Sequence, residues 1–546
     1  MKQTRYLTIP VIIILCASII LSGCGKNVQA SSQEITVNLG DEPATLDPQL
    51  VYDVIPMRVI NAAFEGLCRK DPSGKIMPAS AKSWNISEDK LTYTFNIRDD
   101  AKWWDGSKVT ASDFKKAWLR ALDPEPEEHE PSYMGNLLFC IKGASEYAAG
   151  QGEVEELGVE TRDENTLVVT LVKPTPYFLD LVCGSVFMPV NEGFYNNQPV
   201  EDGATTYGSE AWSIIGNGPF QIKDWRHDDS IVLVKNMEYW NRNNIKLDKI
   251  TLKMINDNSS AFTSFKAGEI DVVDITEQSD RLQTDKNKTG IKSYNVGVTQ
   301  YISFNNEDPV LMNKNIRKAM SYALDREALT QKILYDGSKK ALGFVNPVIS
   351  GIDRTFRDEA GELFKDNDLY NAKILFAKGL AELKLTKVPE IKILIDDKET
   401  SKRDAQAIQE MWRKKLGLEV EIQAMPFDAM MEKMMGKDYQ LALLMWTADF
   451  NDPTAFLDIF STESFFNVAY YKNADFDSLL EKAELERDEK ERIKMLIEAE
   501  KKVMEDMAVC PVYFLFQSYA VNNKVKGFVR GSSPIQDFDF YWTYIE

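Results

Sequence analysis

The chain has 546 residues, of which 44% are hydrophobic, and its 84 acidic residues against 64 basic ones give a net charge of −20. At about 150 residues per domain, this length predicts three or four domains, each able to bury a core. The negative charge excludes nucleic acid and anionic lipid headgroups as general partners, because it repels phosphates, and it also serves to keep a surface protein soluble.

The first 24 residues resemble a bacterial lipoprotein signal. Basic residues precede an apolar run from Val11 to Leu15, and small residues lead to Cys24. A basic start, an apolar stretch of roughly 15 residues and small residues before the cleavage point are typical of an exported precursor. We predict a signal peptide at 1–23 and, from the resemblance, a lipid such as palmitate on Cys24. The alternative is a single membrane helix, but Pro10 shortens the apolar run below the length that a membrane-spanning helix requires.

Residues 24–33 are small and polar, which predicts a flexible tether. Hydrophobic periodicity then predicts, in chain order, a strand at 35–39, a helix at 59–67, hairpins between 84 and 104, a helix at 114–122 capped by Thr110 and Asp113, a strand at 167–171 and a short helix at 177–182. A hairpin is predicted around Asn217-Gly218-Pro219, and a strand, a helix and a strand are predicted over 250–275.

The last third of the chain is richer in predicted helix. Periodicity and glycine caps predict helices at 315–334, 400–416, 428–435 and two between 475 and 505, with strands at 419–423 and 439–446. Strands that alternate with helices predict a mixed α/β chain with several lobes.

Catalytic signatures are absent from the sequence. The chain has two histidines without an HExxH pair, and it lacks the GxSxG elbow, the phosphate-binding P-loop and the GxGxxG turn. A carboxylate pair for glycoside hydrolysis stays open, because 84 acidic residues always offer candidates and only the distance between two carboxylates would identify a pair. We predict that the protein is not an enzyme and uses no cofactor or metal. Buried free thiols are favoured over a disulfide for the cysteines of the mature chain beyond Cys24, which are Cys68, Cys140, Cys183 and Cys510.

The segment from Leu441 to Pro453 is distinctive, because a continuously apolar strand runs into a polar loop. In α/β sheets ligands gather beyond the carboxyl ends of strands, where Asp449 lies, and a carboxylate in a partly desolvated cleft favours an ammonium group. Helix capping is the alternative role; we favour capping for Asp452 and ligand binding for Asp449. The aromatic residues that adjoin candidate loops, each by itself more typical of a core, are Tyr52, Tyr133, Tyr301 and Trp446.

Short motifs spread over nearly all of the mature chain match one family in order. They include Thr45-Leu46-Asp47-Pro48, Lys102-Trp103-Trp104-Asp105-Gly106, Asn217-Gly218-Pro219-Phe220, Lys266-Ala267-Gly268-Glu269-Ile270-Asp271 and Asp449 to Phe456. On these motifs the chain resembles the extracellular solute-binding proteins of family 5, in the branch of oligopeptide-binding lipoproteins of ABC importers. Most of the motifs belong to the scaffold and say little about the ligand.

The resemblance implies the three-lobed type of periplasmic-binding-protein fold, in which two mixed α/β lobes are hinged around a cleft and a smaller lobe is inserted. Lobe I would be discontinuous, at 34–63, 190–297 and 517–546. Lobe II would be the insertion at 64–189, and lobe III would span 298–516. Crossovers near Val298 and Phe516 would form a hinge that closes the lobes on the ligand.

The resemblance also implies a binding mode. A short peptide would lie extended between the lobes and pair with protein backbone as an added strand. Asp449 would hold the α-ammonium of the peptide. Met445, Trp446 and Thr447 would offer backbone partners, and Val54 would pair from the other lobe.

Three tyrosines, Tyr52, Tyr133 and Tyr301, are weaker candidates for the wall of the cleft. Some relatives have an acid where Tyr52 stands and an arginine, which helps to hold the C-terminal carboxylate of the ligand, where Leu443 stands. The length of the peptide and the anchoring of its C-terminus therefore stay open.

The predicted function is that of a lipid-anchored receptor that captures short peptides by lobe closure and delivers them to a membrane permease driven by ATPase subunits. It would act as a monomer on the extracytoplasmic face of the membrane, at a Gram-positive type of cell surface rather than in a free periplasmic pool. The alternatives are the same fold binding another solute, such as a sugar or a metal chelate, and a surface hydrolase or peptide chaperone.

Overall fold

The computed structural model describes residues 32–126, 129, 131–276, 289–531 and 537–546. Its centre is one mixed sheet of 11 strands, which confirms the predicted α/β class. In order across the sheet the strands are Phe220–Arg226, Ser230–Lys235, Lys249–Lys253, Glu34–Asn38, Val272–Ile275, Val509–Asn522, Thr289–Phe304, Leu441–Thr447, Ile391–Asp396 and Val420–Met425, and the short strand Lys339–Lys340 pairs with Val509–Asn522.

Two long antiparallel strands connect the two halves of this sheet. We call them the first crossover strand (Thr289–Phe304) and the second crossover strand (Val509–Asn522). Their ladder is interrupted between Asn295 and Thr299. Gly297 lies in the interruption with a φ of 77°, a conformation that costs glycine little. The ladder of paired residues between the two strands is therefore interrupted where the chain passes from one half of the sheet to the other.

Each half of the sheet has its own hydrophobic core. The first core draws on residues between 35 and 272 and between 519 and 545, and the second on residues between 301 and 513. Trp118 in the first core donates from Nε1 to the carbonyl of Phe187 at 3.0 Å, and Trp412 in the second donates to that of Met320 at 2.8 Å, so both buried indoles are satisfied. The first core runs on into residues 64–189, and the division into three lobes stays a prediction.

A smaller antiparallel sheet lies within residues 64–189. Its strands, in order, are Ala81–Ile86, Thr92–Ile97, Thr166–Thr170 and Val159–Asp163. Tyr93, Phe95 and Ile97 are buried and alternate with partly exposed residues, as the predicted hairpin requires. The helix Ala111–Ala121 packs on this sheet and begins as predicted, because a carboxylate oxygen of Asp113 accepts from the backbone N of Thr110 at 2.7 Å.

Helices cover the sheets. Those of nine residues or more are Val54–Ala63, Ala111–Ala121, Asn258–Ala267, Lys314–Tyr322, Leu369–Leu383, Glu399–Leu416, Phe427–Met435, Ala474–Leu485 and Glu489–Asp506. Shorter helices and helical turns are Gly135–Cys140, Ala144–Ala148, Val154–Glu156, Phe178–Leu181, Ser185–Phe187, Glu192–Tyr195, Arg326–Ala328, Leu329–Leu334, Phe356–Ala360, Thr454–Leu457 and Asp458–Phe460. Two-stranded pairs are Cys68–Lys70 with Ile76–Pro78, Val200–Glu201 with Ala204–Thr205, Val525–Lys526 with Tyr544–Ile545, and Val529–Arg530 with Phe538–Asp539.

Two predicted helices have the wrong bounds. The helix predicted at 59–67 is Val54–Ala63, because the side chain of Asp53 accepts from the backbone N of Ile55 at 2.9 Å and caps it early. The helix predicted at 315–334 is broken after Tyr322, and Asp325 caps a new start by accepting from Ala328 at 2.9 Å. A capping side chain that competes with the helix ladder decides both boundaries.

The four described cysteines are free thiols, as predicted. Cys68, Cys183 and Cys510 are buried and Cys140 is half-buried. Burial raises the pKa of Cys140 and of Cys183 to about 12, so neither is a reactive thiolate at neutral pH.

Candidate functional site

The strand Leu441–Thr447 has an edge that lacks a partner strand over part of its length. One side pairs with the first crossover strand from end to end. On the other side the strand Ile391–Asp396 reaches only Leu441 and Ala442. From Leu443 onward, no described strand occupies this edge. Its backbone N–H and C=O groups can therefore receive an added strand.

Side chains along this edge alternate between the core and the open side. Met445 is 47% exposed, and Thr447 is half-buried on the same face. Trp446 points the other way and is fixed, because its Nε1 donates to the carbonyl of Ala455 at 2.6 Å and its ring meets that of Phe466 edge-on at 5.5 Å. The indole of Trp446 thus anchors the strand, while the side chain of Met445 stays exposed.

Asp449 and Asp452 follow this strand and have different surroundings. Asp452 is buried, accepts two bonds from Arg492 at 2.7 and 2.9 Å, and accepts from the backbone N of Thr454 at 3.0 Å. Asp449 has an accessible side chain and, within the described parts of the chain, no hydrogen bond or ion pair. The protein enclosing it raises the pKa of Asp449, and no neighbouring cation offsets this effect. Asp452 thus serves the fold, whereas the carboxylate of Asp449 is available.

A cavity of about 660 Å³ lies where the two halves of the main sheet meet, which is large enough for a small ligand. Two residues predicted to meet the ligand line it: Val54, at the start of the helix Val54–Ala63, and Thr447, at the end of the strand Leu441–Thr447. The other lining residues are Leu39, Gly40, Ile55, Arg58, Asp274, Ile275, Thr276, Tyr294, Val296, Val298, Asp336, Thr400, Leu515, Phe516, Gln517, Ser518, Gly531 and Asp537.

Buried charges form part of the cavity lining. Arg58 donates to Asp537 at 2.7 Å and to Asp274 at 3.3 Å. Arg530 pairs with the same two aspartates, donating to Asp537 at 2.8 Å. Burial pushes the pKa of Asp274 upward, but the two guanidinium groups outweigh burial and lower it below its ordinary value. The four side chains therefore neutralise one another.

This network was missed in the sequence, where Arg58 and Asp537 are 479 residues apart. A signal existed, since Arg58 is the single charged residue of the helix Val54–Ala63. A buried arginine on such a helix requires carboxylate partners, but only the folded chain identifies them. Asp336, which also lines the cavity, was missed as well.

The predicted tyrosines lie outside the cavity lining. Tyr52 and Tyr133 are 62% and 78% exposed, and their rings contact each other with centroids 5.2 Å apart. Tyr301 is 3% exposed inside the second core, where its ring meets that of Phe344 edge-on at 5.0 Å. The structure thus brings Tyr52 and Tyr133 together on the surface. Tyr301 lies on the first crossover strand, where it pairs with Leu444 of the strand Leu441–Thr447.

Cys24, the predicted site of lipid attachment, lies outside the described residues. Across the described ranges, no helix is long and apolar enough to cross a membrane. In the same part of the chain, no cluster of three or more histidine, cysteine, aspartate or glutamate side chains could hold a metal ion.

The chain is similar in sequence and in structure to known solute-binding proteins. The family described as "Bacterial extracellular solute-binding proteins, family 5 Middle" matches residues 75–467. Oligopeptide-binding protein OppA of Bacillus subtilis strain 168 is 34% identical over 536 residues, covering 95% of this chain and 96% of that protein. Peptide-bound OppA of Listeria monocytogenes has a TM-score of 0.71 at 29% identity, covering 94% of this chain and 99% of that one. The unliganded open form of the murein tripeptide binding protein MppA has a TM-score of 0.79 at 27% identity, with coverages of 94% and 98%.

Proposed function

Because the chain belongs to family 5 of the bacterial extracellular solute-binding proteins, we propose that it is a receptor that captures short peptides and delivers them to the permease of an ABC importer. The observation that carries this proposal is the open backbone edge from Leu443 to Thr447, followed at once by the unpaired carboxylate of Asp449. A hydrolase would require a nucleophile or an activated water, whereas an edge and a carboxylate suffice to hold a peptide unchanged.

In the proposed complex the peptide lies extended against this edge. Its backbone pairs with Met445, Trp446 and Thr447, and Val54 pairs from the opposite wall of the cavity. Main-chain bonds give an affinity that does not depend on side-chain identity. Asp449 receives the α-ammonium, a charge-assisted bond that contributes on the order of 1.5–3 kcal/mol. Tyr52 and Tyr133 add exposed aromatic surface near the N-terminal side of the helix Val54–Ala63.

Lobe closure completes the proposed mechanism. The three lobes are those given by the family resemblance, with lobe I at 34–63, 190–297 and 517–546, lobe II at 64–189 and lobe III at 298–516. The interrupted ladder of the crossover strands supports a hinge near Val298 and Phe516. Closure would bring Val54 and Thr447 onto the two sides of the same peptide.

Attachment to the membrane is the last part of the proposal. A signal peptide at 1–23 would be removed, and a lipid on Cys24 with the tether at 24–33 would hold the monomeric receptor at a Gram-positive type of cell surface. A short tether keeps the receptor at high effective concentration beside the permease and its ATPase subunits.

Native mass spectrometry of the purified protein tests the proposal. We expect the mass to exceed that of the chain by a heterogeneous set of values, and denaturation should release short peptides of mixed sequence. Release of only a sugar or a metal complex would overturn the peptide assignment and favour another solute. Cleaved fragments from an added peptide library would instead indicate a hydrolase.

A further inference from the structure

Asp336 is a carboxylate of the cavity lining that has no cationic partner among the residues the structure describes. It is half-buried, and its carboxylate accepts from the backbone N of Ser338 at 2.8 Å. The hydroxyl of Ser518 donates to the carbonyl oxygen of Asp336 at 2.9 Å, so the backbone is fixed as well. Within the described ranges no lysine, arginine or histidine forms an ion pair with it. Its position is therefore fixed while its charge is unbalanced.

The remaining charges of the cavity lining do not compensate for Asp336. Arg58 and Arg530 are matched by Asp274 and Asp537, so among the described residues the negative charge of Asp336 has no counterpart. Lys339 is near but exposed, and its Nζ lies 4.8 Å from the centroid of the Phe516 ring rather than in an ion pair with Asp336. If a ligand filled the cavity, Asp336 would lose water, and a ligand cation would offset that cost.

The shape of the lining favours a long basic side chain over a small amine. Val296, Val298, Ile275 and Leu515 offer apolar surface, against which the methylene stem of lysine or arginine can pack while the charged end reaches a carboxylate. The ring of Phe516 adds a face to which a cation is attracted.

We propose that Asp336 is a specificity-determining residue that makes this receptor prefer peptides with a lysine or arginine side chain over peptides with an uncharged side chain of equal length. The inference rests on the proposed function, because it assigns a preference to the same peptide site. It differs from the role of Asp449, which would hold the α-ammonium that every free peptide has.

Isothermal titration calorimetry with short peptides tests the preference. Each peptide is prepared with lysine and with norleucine, its uncharged analogue, at each position after the first in turn. For at least one position we expect lysine to bind about 10-fold more tightly. In Asp336→Asn, which keeps the acceptor for Ser338, this ratio should fall to near one while the affinity for the norleucine peptide changes little. The matched control is Glu481→Gln, an exposed acid on the helix Ala474–Leu485, which should keep the ratio.

The outcomes separate this inference from the proposed function. If peptides bind but lysine gives no advantage, or if Asp336→Asn keeps the advantage, the inference is overturned and the receptor function stands. If no peptide binds, the proposed function fails and the inference fails with it. Should the variant not fold, the wild type provides an independent readout: the advantage of lysine should shrink as ionic strength rises, and an unchanged advantage would overturn the inference.

Discussion

Two aspartates of one short segment show how surroundings determine the role of a residue. The carboxylate of Asp452 is neutralised by Arg492 and serves the fold. Asp449 has an accessible side chain with no partner among the described residues, and the protein around it raises its pKa because no neighbouring cation offsets the loss of water. A group that costs the protein free energy in its charged form and is still unpaired is a candidate for contact with an external cation.

The substitution Asp449→Asn keeps the shape of the side chain and removes its charge. We expect the affinity for peptides with a free N-terminus to fall about 10- to 100-fold, because a charge-assisted bond is lost. N-acetylated peptides should bind the variant and the wild type alike. Calorimetric titration with a matched pair of peptides measures both values, and equal losses for the two would contradict the ammonium role.

The affinity of the wild type for peptides should depend on pH through Asp449, and the same substitution should remove this dependence. Only the ionised form of Asp449 attracts an ammonium group, so wild-type affinity is present above the pKa of the ligand-free protein and is lost as pH falls through it. Since that pKa is raised, the loss should begin at a higher pH than for an ordinary aspartate, and Asp449→Asn should lack this dependence.

A folded pKa above the unfolded one means that ionised Asp449 destabilises the fold at neutral pH. The unliganded variant should therefore unfold at no lower temperature than the wild type.

At the scale of elements, an ion pair fixes the segment that follows the strand Leu441–Thr447. Arg492 belongs to the helix Glu489–Asp506, and the side chains of Arg492 and Asp452 are both 6% exposed. The strand holds one end of the segment and this pair holds the other. Asp449 therefore lies on a short loop anchored at both ends.

Removing one partner of this pair should be far more costly than removing both. Asp452→Ala leaves Arg492 buried and unpaired, and we expect the free energy of unfolding to fall by about 3–5 kcal/mol. The double variant Asp452→Ala with Arg492→Met buries no charge and should recover part of that loss. Urea unfolding measures both variants; an equal loss in the two would show that the pair does not hold the segment.

At the scale of the whole molecule, the crossover strands and contacts made by residues 64–189 connect the two halves of the chain. The crossover strands run through both halves of the main sheet. In addition, Tyr177 stacks on Phe450 with ring centroids 3.9 Å apart, and the backbone N of Asn451 donates to Asp180 at 3.1 Å. Residues 64–189 thus contact the loop that carries Asp449, which couples the insertion to the proposed ligand site.

Small-angle X-ray scattering tests whether the lobes close on a peptide. We expect the radius of gyration to fall when a saturating peptide is added, and the unfolding temperature to rise with peptide concentration because only the folded state binds. At a concentration that saturates the wild type but not Asp449→Asn, the variant should show the smaller change. A bound peptide with no change in radius would contradict closure and leave peptide binding intact.

Helices and strands were predicted correctly where alternation or a capping residue close in the chain indicated them. Alternation predicted the strand Thr92–Ile97, and the helix Asn258–Ala267 ends, as expected, at Gly268 with a φ of 80°. The helix Leu369–Leu383 was missed, because it packs against the helix Lys314–Tyr322 through small residues. A Cβ on its Gly379 would lie 2.6 Å from Ile316, and a glycine inside a helical pattern weakens the prediction of a helix, although Phe376, Leu380 and Leu383 keep helical spacing and pack on the second core.

By itself, the sequence determined the fold class and most of the elements, because periodicity and helix caps act between residues close in the chain, whereas the preference for Asp449 over Asp452 as the ligand residue stays a prediction. Only the tertiary structure decided that, among the described residues, Asp449 has no partner and no strand covers the edge from Leu443, and that Asp336 lines the same cavity as Val54. These features depend on where a neighbouring strand stops and on which charges meet across the fold. Both are set by packing between segments that are distant in the sequence.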